Sequence, residues 1–189
     1  TLMRDGQQIK MSKRAANFVT LEELIDEAGA DAVRFFFIIR SHSSHLEFDL
    51  NLAKEQSEKN PVYYLQYAHA RIASILRFAE SEGLLRTDEI LEAKKVPLQL
   101  LQEPSEIALA KILLEFPDVV EFTAVSLESH RIATYLAEVA ASFHKFYHDQ
   151  RVVIPERELA LARVFLCYAT KTVLANGLKI LGISAPEKM

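Results

Sequence analysis

The run from Pro61 to Gly83, PVYYLQYAHARIASILRFAESEG, limits the fold more than any other stretch of the chain. Leu65, Ala68, Ile72, Ile75, Leu76 and Ala79 recur at helical spacing and share one face. Pro61 stands ahead of the periodic segment and Gly83 ends it, so a long amphipathic helix is predicted between them. An apolar stripe of that length has to be covered. The five glycines and six prolines of the 189-residue chain are too few for a turn-rich all-β fold, so the cover must come from other helices.

Those helices are legible downstream. PSEIALAKILLEF puts Ile107, Leu109, Ala110, Leu113 and Phe116 on a broad apolar side, with Pro117 expected to break the helix. A short helix at about 118–126 leads into SHRIATYLAEVAASFHKFYHDQR, whose stripe is Ile132, Leu136, Val139, Phe143 and Phe146. A last helix is predicted from about Glu156 to Leu181, behind Pro155, followed by the tail GISAPEKM. Residues 84–103, with Pro97 near their end, read as an irregular excursion.

The front of the chain is different. Residues 1–20 read as extended, with the hairpin dipeptide Asp5-Gly6 between short flanks. Thr20 and Glu23 have the spacing of a capping box, Gly29 is the expected stop, and Asp31 opens a second helix carrying Phe35, Phe36, Ile38 and Ile39. SHSSHLEFDLNL reads as a loop or short extended piece. The sum is an all-α antiparallel helical bundle, residues 51–189, preceded by a short hairpin and loop arm, residues 1–50.

Composition excludes several classes. Half of the residues are hydrophobic, enough for a sizeable core, but no apolar run reaches the ~18 residues of a membrane helix. The single cysteine, Cys167, rules out an internal disulfide and a cysteine-based zinc site, and fits a reducing compartment. A net charge of −4 argues against a general nucleic-acid coat while leaving room for a local basic or aromatic face. There is no G-x-x-x-x-G-K loop, no G-x-G-x-x-G, no nucleophile elbow and no H-E-x-x-H. His42 and His45 near Glu47 and Asp49 read as a polar loop rather than a metal site.

Two constellations remain. Residues 1–14 hold Arg4, Lys10, Lys13 and Arg14 against Asp5 alone. Lys10 and Lys13, with the Ser12 hydroxyl between them, are suited to grip a polyphosphate; a solvated basic loop is the alternative. On the long helix, Tyr64, Tyr67 and Arg71 at i, i+3 and i+7 form a stripe ~100° around from the Leu65–Ile72 stripe. Rings beside a guanidinium off the core face suit unpaired bases; the alternative is tyrosines packed at the core edge with wet hydroxyls.

KMSKR followed by NFVTL resembles the signature loop of class I aminoacyl-tRNA synthetases. DAVRFFFIIRSHSSHLEFDLNLAKEQSEKNPVYYLQYAHARIASIL, LLEFPDVV, HRIATYLAEVAASFHKFYHDQRV and ATKTVLANGLKILGISAPEKM resemble the arginyl-tRNA synthetases, in order and across essentially the whole chain. The resemblance implies the C-terminal part of an enzyme that ligates arginine to its tRNA using ATP and Mg2+. The sequence opens at Thr1, just before the signature loop, and has no H-I-G-H, so the Rossmann half that holds arginine and most of ATP is expected to lie elsewhere. The fragment alone is then expected to be inactive and to carry no cofactor. Carried over by motif, Lys10, Met11, Ser12 and Lys13 would meet the ATP phosphates, with Lys10, Ser12 and Lys13 catalytic. The family often has glycine where Ala16 stands.

The same resemblance makes the bundle an anticodon-binding domain. It implies anticodon contacts from Asn60, Tyr64, Tyr67, Arg71, Tyr147 and Met189, a tRNA partner of arginine isoacceptors, a monomer, and a cytoplasmic protein with no membrane partner. Asp31, Arg34 and Arg40 read as structural charges. A stand-alone RNA-binding helical module is an alternative, disfavoured by the phosphate-gripping loop. Another class I synthetase, such as the cysteinyl enzyme, is disfavoured by the uninterrupted NPVYYLQYAHAR.

Overall fold

The computed structural model describes residues 1–9, 19–41, 43–84 and 96–189. The arm begins with strand β1 (Leu2–Arg4), which turns at Asp5-Gly6 into β2 (Gln7–Gln8). Both turn residues have positive φ, 52° and 71°, the pairing that matches the twist of a two-residue hairpin and that Asp-Gly adopts at low cost. β1 also pairs in parallel with β3 (Phe48–Asp49), giving the order β2-β1-β3.

Helix α1 (Leu21–Ala28) starts as the sequence predicts. Thr20 Oγ1 accepts from the Glu23 amide at 3.1 Å, and the Glu23 carboxylate accepts from the Thr20 amide at 2.8 Å. Gly29, at φ 83°, ends it and leads directly into α2 (Ala30–Ile38), which buries Val33, Phe35 and Phe36. The segment read as a loop or short extended piece holds β3 and the start of a further helix, α3 (Leu50–Lys54), capped by Asp49, whose carboxylate accepts from the Asn51 and Leu52 amides. Five residues are too few to display a helical period, so the cap was its only signal.

The bundle comprises α4 (Pro61–Ser81), α5 (Pro104–Leu114), α6 (Phe116–Ser126), α7 (His130–Asp149) and α8 (Arg157–Ile180), with a 3₁₀ turn at Leu98–Leu100. α4 packs on α7 and α8, α5 on the same two helices, and α6 on α7, while α2 joins the arm to α4 and α7. The predicted stripes face inward: Leu65, Ala68 and Ile72 on α4, and Ile132, Leu136, Val139, Phe143 and Phe146 on α7 are buried. α4 closes with the Gly83 amide donating to Glu80 O and the Leu84 amide to Ala79 O, both at 3.0 Å, around a glycine at φ 67°.

Two expectations change. α5 stops at Leu114, and Pro117 sits in the first turn of α6 instead of breaking α5. Of the apolar side expected on α5, only Leu109 is fully buried; Ala110, Leu113 and Phe116 are half-buried and Ile107 is exposed. Glu106 occupies the interior, at 0% exposure, because Arg163 of α8 meets it there with Nε donating to Oε1 at 2.6 Å. No helix among the described residues is long and apolar enough to cross a membrane.

Candidate nucleic-acid interface

The seam between α4 and α7 is where the aromatic side chains gather. Phe143 and Phe146 of α7 point into the core, so His144 and Tyr147, each one residue further on, emerge ~100° around the helix and face α4. Tyr64 and Tyr67 of α4 meet His144 with ring centroids at 5.0 and 6.0 Å, the Tyr67 ring nearly parallel to the imidazole. Tyr63 stacks on Tyr67 at 6.3 Å. Tyr147 stacks on Phe143 at 5.9 Å, and the Arg71 guanidinium lies over Tyr147, 5.1 Å from its centroid. Arg71 Nη2 donates to the Tyr147 hydroxyl at 3.2 Å.

The rings are half-buried and Arg71 is exposed. Tyr64 and Tyr147 both pack against the core. The two readings of the stripe therefore merge: one side of the cluster supports the bundle while the other lies at the surface. Burial, with the Glu58 carboxylate adding to it, raises the Tyr64 phenol above its ordinary value. Burial holds the His144 imidazole below its ordinary value, with Glu58 opposing and Arg71 reinforcing the effect. Its Nε2 is buried and has no hydrogen-bond partner among the described residues. The imidazole is thus neutral at neutral pH, and the fixed positive charge of the seam is that of Arg71.

From Arg71 and Tyr147 a groove of about 1060 Å³ runs along the C-terminal half of α4, walled by Phe78, Arg157 and the loop of residues 150–155. Arg157 Nη1 donates to Gly83 O at 3.2 Å, which ties the start of α8 to the end of α4.

Other candidate residues lie elsewhere. Asn60 is 4% exposed and caps α4: its Oδ1 accepts from the Val62 amide at 3.3 Å, and its Nδ2 donates to Ala53 O at 3.1 Å and Glu55 O at 2.9 Å. Met189 is 56% exposed at the end of a tail held on another side of α4. There Gln66 Nε2 donates to Ser184 O at 3.1 Å, His69 Nδ1 lies 2.8 Å from Pro186 O, and Arg77 Nη1 donates to Glu187 O at 3.2 Å. Those three positions stand roughly 110–170° around α4 from the tyrosine stripe, so the anchored tail does not join the rings. Asp31 accepts from Gln66 and Ser184, and Arg34 donates to Gly182 O, so both act as structural latches between α2 and the tail. Arg40 is exposed. Lys10, Met11, Ser12, Lys13, Arg14, Ala16 and His42 lie outside the described residues.

Tyr63 and His144 belong to the seam and were missed. Tyr63 stands four residues before Tyr67 and so shares its stripe, a signal the sequence contained. His144 was hidden between two core phenylalanines. Cys167 is buried, and burial pushes its thiol up to about 12, so it offers no nucleophile.

Fold and seam together define a class: an antiparallel helical bundle with an aromatic and cationic edge, the kind of surface on which unpaired bases stack. The chain belongs to the family of the DALR anticodon binding domain, whose model matches residues 65–189. It matches the C-terminal anticodon-binding region of arginyl-tRNA synthetases. It is 50% identical over 189 residues to the arginine–tRNA ligase of Geobacter metallireducens, covering all of this chain and 33% of that protein. Among solved structures, it superposes with a TM-score of 0.82 and 32% identity on a candidate arginyl-tRNA synthetase from Campylobacter jejuni, covering 100% of this chain and 39% of the other. The Thermus thermophilus arginyl-tRNA synthetase gives 0.71 and 30%, covering 94% and 29%. The chain therefore spans about a third of the length of the curated relatives it matches.

Proposed function

We propose that this chain is the anticodon-binding part of an arginine–tRNA ligase and that the seam between α4 and α7 receives unpaired bases of the anticodon loop. The observation that carries the reading is the cluster of Tyr64, Tyr67, His144 and Tyr147 with Arg71 seated over one ring. Ring faces stack bases of any identity, and an exposed guanidinium reaches a phosphate or stacks on a further base. Asn60 serves the site by fixing the first turn of α4, and the tail ending in Met189 braces the same helix from another side.

Residues 1–50 belong, in this reading, to the end of the catalytic region. In sequence, Lys10, Met11, Ser12 and Lys13 fall between Ile9, whose amide donates to Leu2 O at 2.9 Å, and the Thr20 cap. Two ammonium groups and a hydroxyl are a donor set that fits phosphate oxygens. ATP with Mg2+ supplies the anhydride that drives arginine activation. The part of Lys10, Ser12 and Lys13 is to stabilise charge on its phosphates. The enzyme would act in the cytoplasm, as a monomer, on arginine tRNAs, with the arginine pocket in the remainder of the polypeptide.

The test is a titration of the 189-residue chain with labelled synthetic anticodon stem-loops, one from an arginine tRNA and one carrying an unrelated loop on the same stem. Tighter binding of the arginine loop is expected; equal binding of the two, or binding of neither, refutes the reading. Alone, the chain should form no arginyl-tRNA and exchange no pyrophosphate into ATP. Either activity would overturn the division of labour.

A further inference from the structure

The wall of the groove beside Tyr147 is the loop of residues 150–155, which is neither helix nor strand. A loop without a ladder needs side chains to hold it, and here Arg163 of α8 does so. Its Nη1 donates to Arg151 O at 2.8 Å and its Nη2 to Gln150 Oε1 at 2.9 Å. Arg163 is only 7% exposed, and its charge is compensated by the fully buried Glu106. The second oxygen of Glu106 accepts from the Glu103 amide at 3.0 Å, at the first turn of α5.

We infer that Glu106 and Arg163 are positioning residues for RNA binding: the buried pair fixes residues 150–155 as the groove wall next to Tyr147 and Arg71. This rests on the anticodon reading of the seam. The alternative, that the pair exists to stabilise the fold, is physically weak. Desolvating two charges offsets most of their attraction, and apolar side chains of similar volume often stabilise as well or better. What apolar side chains cannot do is donate to Arg151 O and Gln150 Oε1. A lysine could face Glu106 but lacks the planar fork that reaches three acceptors in three directions. The donors that the buried guanidinium supplies are the ones the loop uses.

Three variants of the full 189-residue chain test the inference: Gln150→Leu, Arg163→Lys and the double change Glu106→Leu/Arg163→Leu. Thermal melts, amide hydrogen exchange of residues 150–155 and anisotropy titration with the arginine anticodon stem-loop are read on each. The double variant is expected to melt within a few degrees of the parent. Its loop amides should exchange about tenfold faster or more, because the loop opens without global unfolding. Its stem-loop affinity should fall about tenfold, since a displaced wall costs binding geometry rather than a contact. Gln150→Leu, which leaves the ion pair intact, and Arg163→Lys should move in the same direction to smaller extents, and they carry the test if the double variant does not fold. Faster loop exchange with parental affinity would refute the role in RNA binding. Unchanged exchange in all three would refute the pinning. A parent chain that fails to bind the stem-loop would instead sink the anticodon reading, and the binding role with it, while exchange still decides whether the pair holds the loop.

Discussion

Replacing Arg71 by alanine separates the surface role of the seam from its packing role. Arg71 is exposed, so truncation opens no cavity. Within the protein it loses one hydrogen bond, 3.2 Å to the Tyr147 hydroxyl, and a cation–π contact at 5.1 Å. At an exposed site these together are worth about 1–2 kcal/mol, because water replaces the hydrogen bond and screens the charge. A charge-assisted contact to an RNA phosphate is worth about 1.5–3 kcal/mol, which corresponds to roughly 10- to 150-fold in affinity. The net charge of −4 leaves little general attraction to mask that loss. Anisotropy titrations of a labelled arginine anticodon stem-loop across a potassium chloride series read both terms. Affinity should fall by that factor at low salt, and the magnitude of the slope of log K against log salt should drop by ~0.7, the share of one contact on an unpaired strand. Arg71 is also one of the groups lowering the His144 imidazole, so the His144 titration followed by NMR should shift upward in the same variant. Parental affinity and slope in Arg71→Ala, with His144 shifted as expected, would show that the guanidinium serves the protein surface and not RNA.

The structure sets further outcomes. Gly177→Ala would place a methyl 2.5 Å from Leu136 Cδ2, and Leu136 is fully buried; overpacking of about 1–3 kcal/mol exceeds the gain of about 1 kcal/mol in helix propensity, so the melting temperature should fall. Since burial lowers His144 from its ordinary 6.5, the unfolded chain takes up a proton that the folded chain refuses; stability is full above 6.5 and declines as pH drops from there toward the folded value, and His144→Phe should flatten that part of a melt-versus-pH curve. Tyr147→Phe should weaken stem-loop binding less than Tyr147→Ala, which loses a stacking face worth about 1–3 kcal/mol and also lowers stability because the ring packs on the core. In an enzyme containing this chain, Lys13→Ala should raise the barrier to arginine activation by roughly 2.7–4 kcal/mol while leaving tRNA affinity nearly unchanged; equal losses in both would make that segment an RNA-binding element instead.

The parts of the fold written in local periodicity and capping chemistry were legible: the Asp5-Gly6 turn, the Thr20–Glu23 box, the stripes of α4 and α7 and the stop at Gly83 all follow from neighbours within a few residues. What escaped depends on partners distant in sequence. Glu106 looks like a solvent-facing residue until Arg163, 57 positions later, is placed against it. Pro117 looks like a terminator unless the helix boundary at Glu115 is known to start a new helix, where proline is favoured. At the seam, Tyr64, Tyr67 and Arg71 were visible as one stripe because they share a helix. Their association with Tyr147 came from resemblance, and with His144 only from the packing of α7. Asn60 and Met189 came from resemblance; locally, Asn60 ahead of Pro61 reads equally well as the helix cap it forms.

α4 is the element that all of this shares. Its inner stripe holds the bundle, its tyrosine edge forms the seam, and Gln66, His69 and Arg77 hold the tail. Gln66 also donates to Asp31 of α2 at 2.8 Å, so one rigid helix touches arm, tail and seam. Three faces fixed on one cylinder cannot be adjusted independently, since each residue added turns everything beyond it by about 100°. One residue inserted between Tyr67 and Arg71 would swing Arg71 off the Tyr147 ring, turn Ile72 and Ile75 out of the core, and carry Arg77 away from Glu187 together. Truncating Arg77 alone, by contrast, removes only contacts made at the surface, since its pair with Glu187 is exposed on both sides and worth ~1 kcal/mol or less. The order of sensitivity along α4 therefore follows from angle around the helix rather than from residue chemistry. The core stripe comes first, with the buried His69 beside it, then the half-buried rings and Gln66, and last the exposed Arg77.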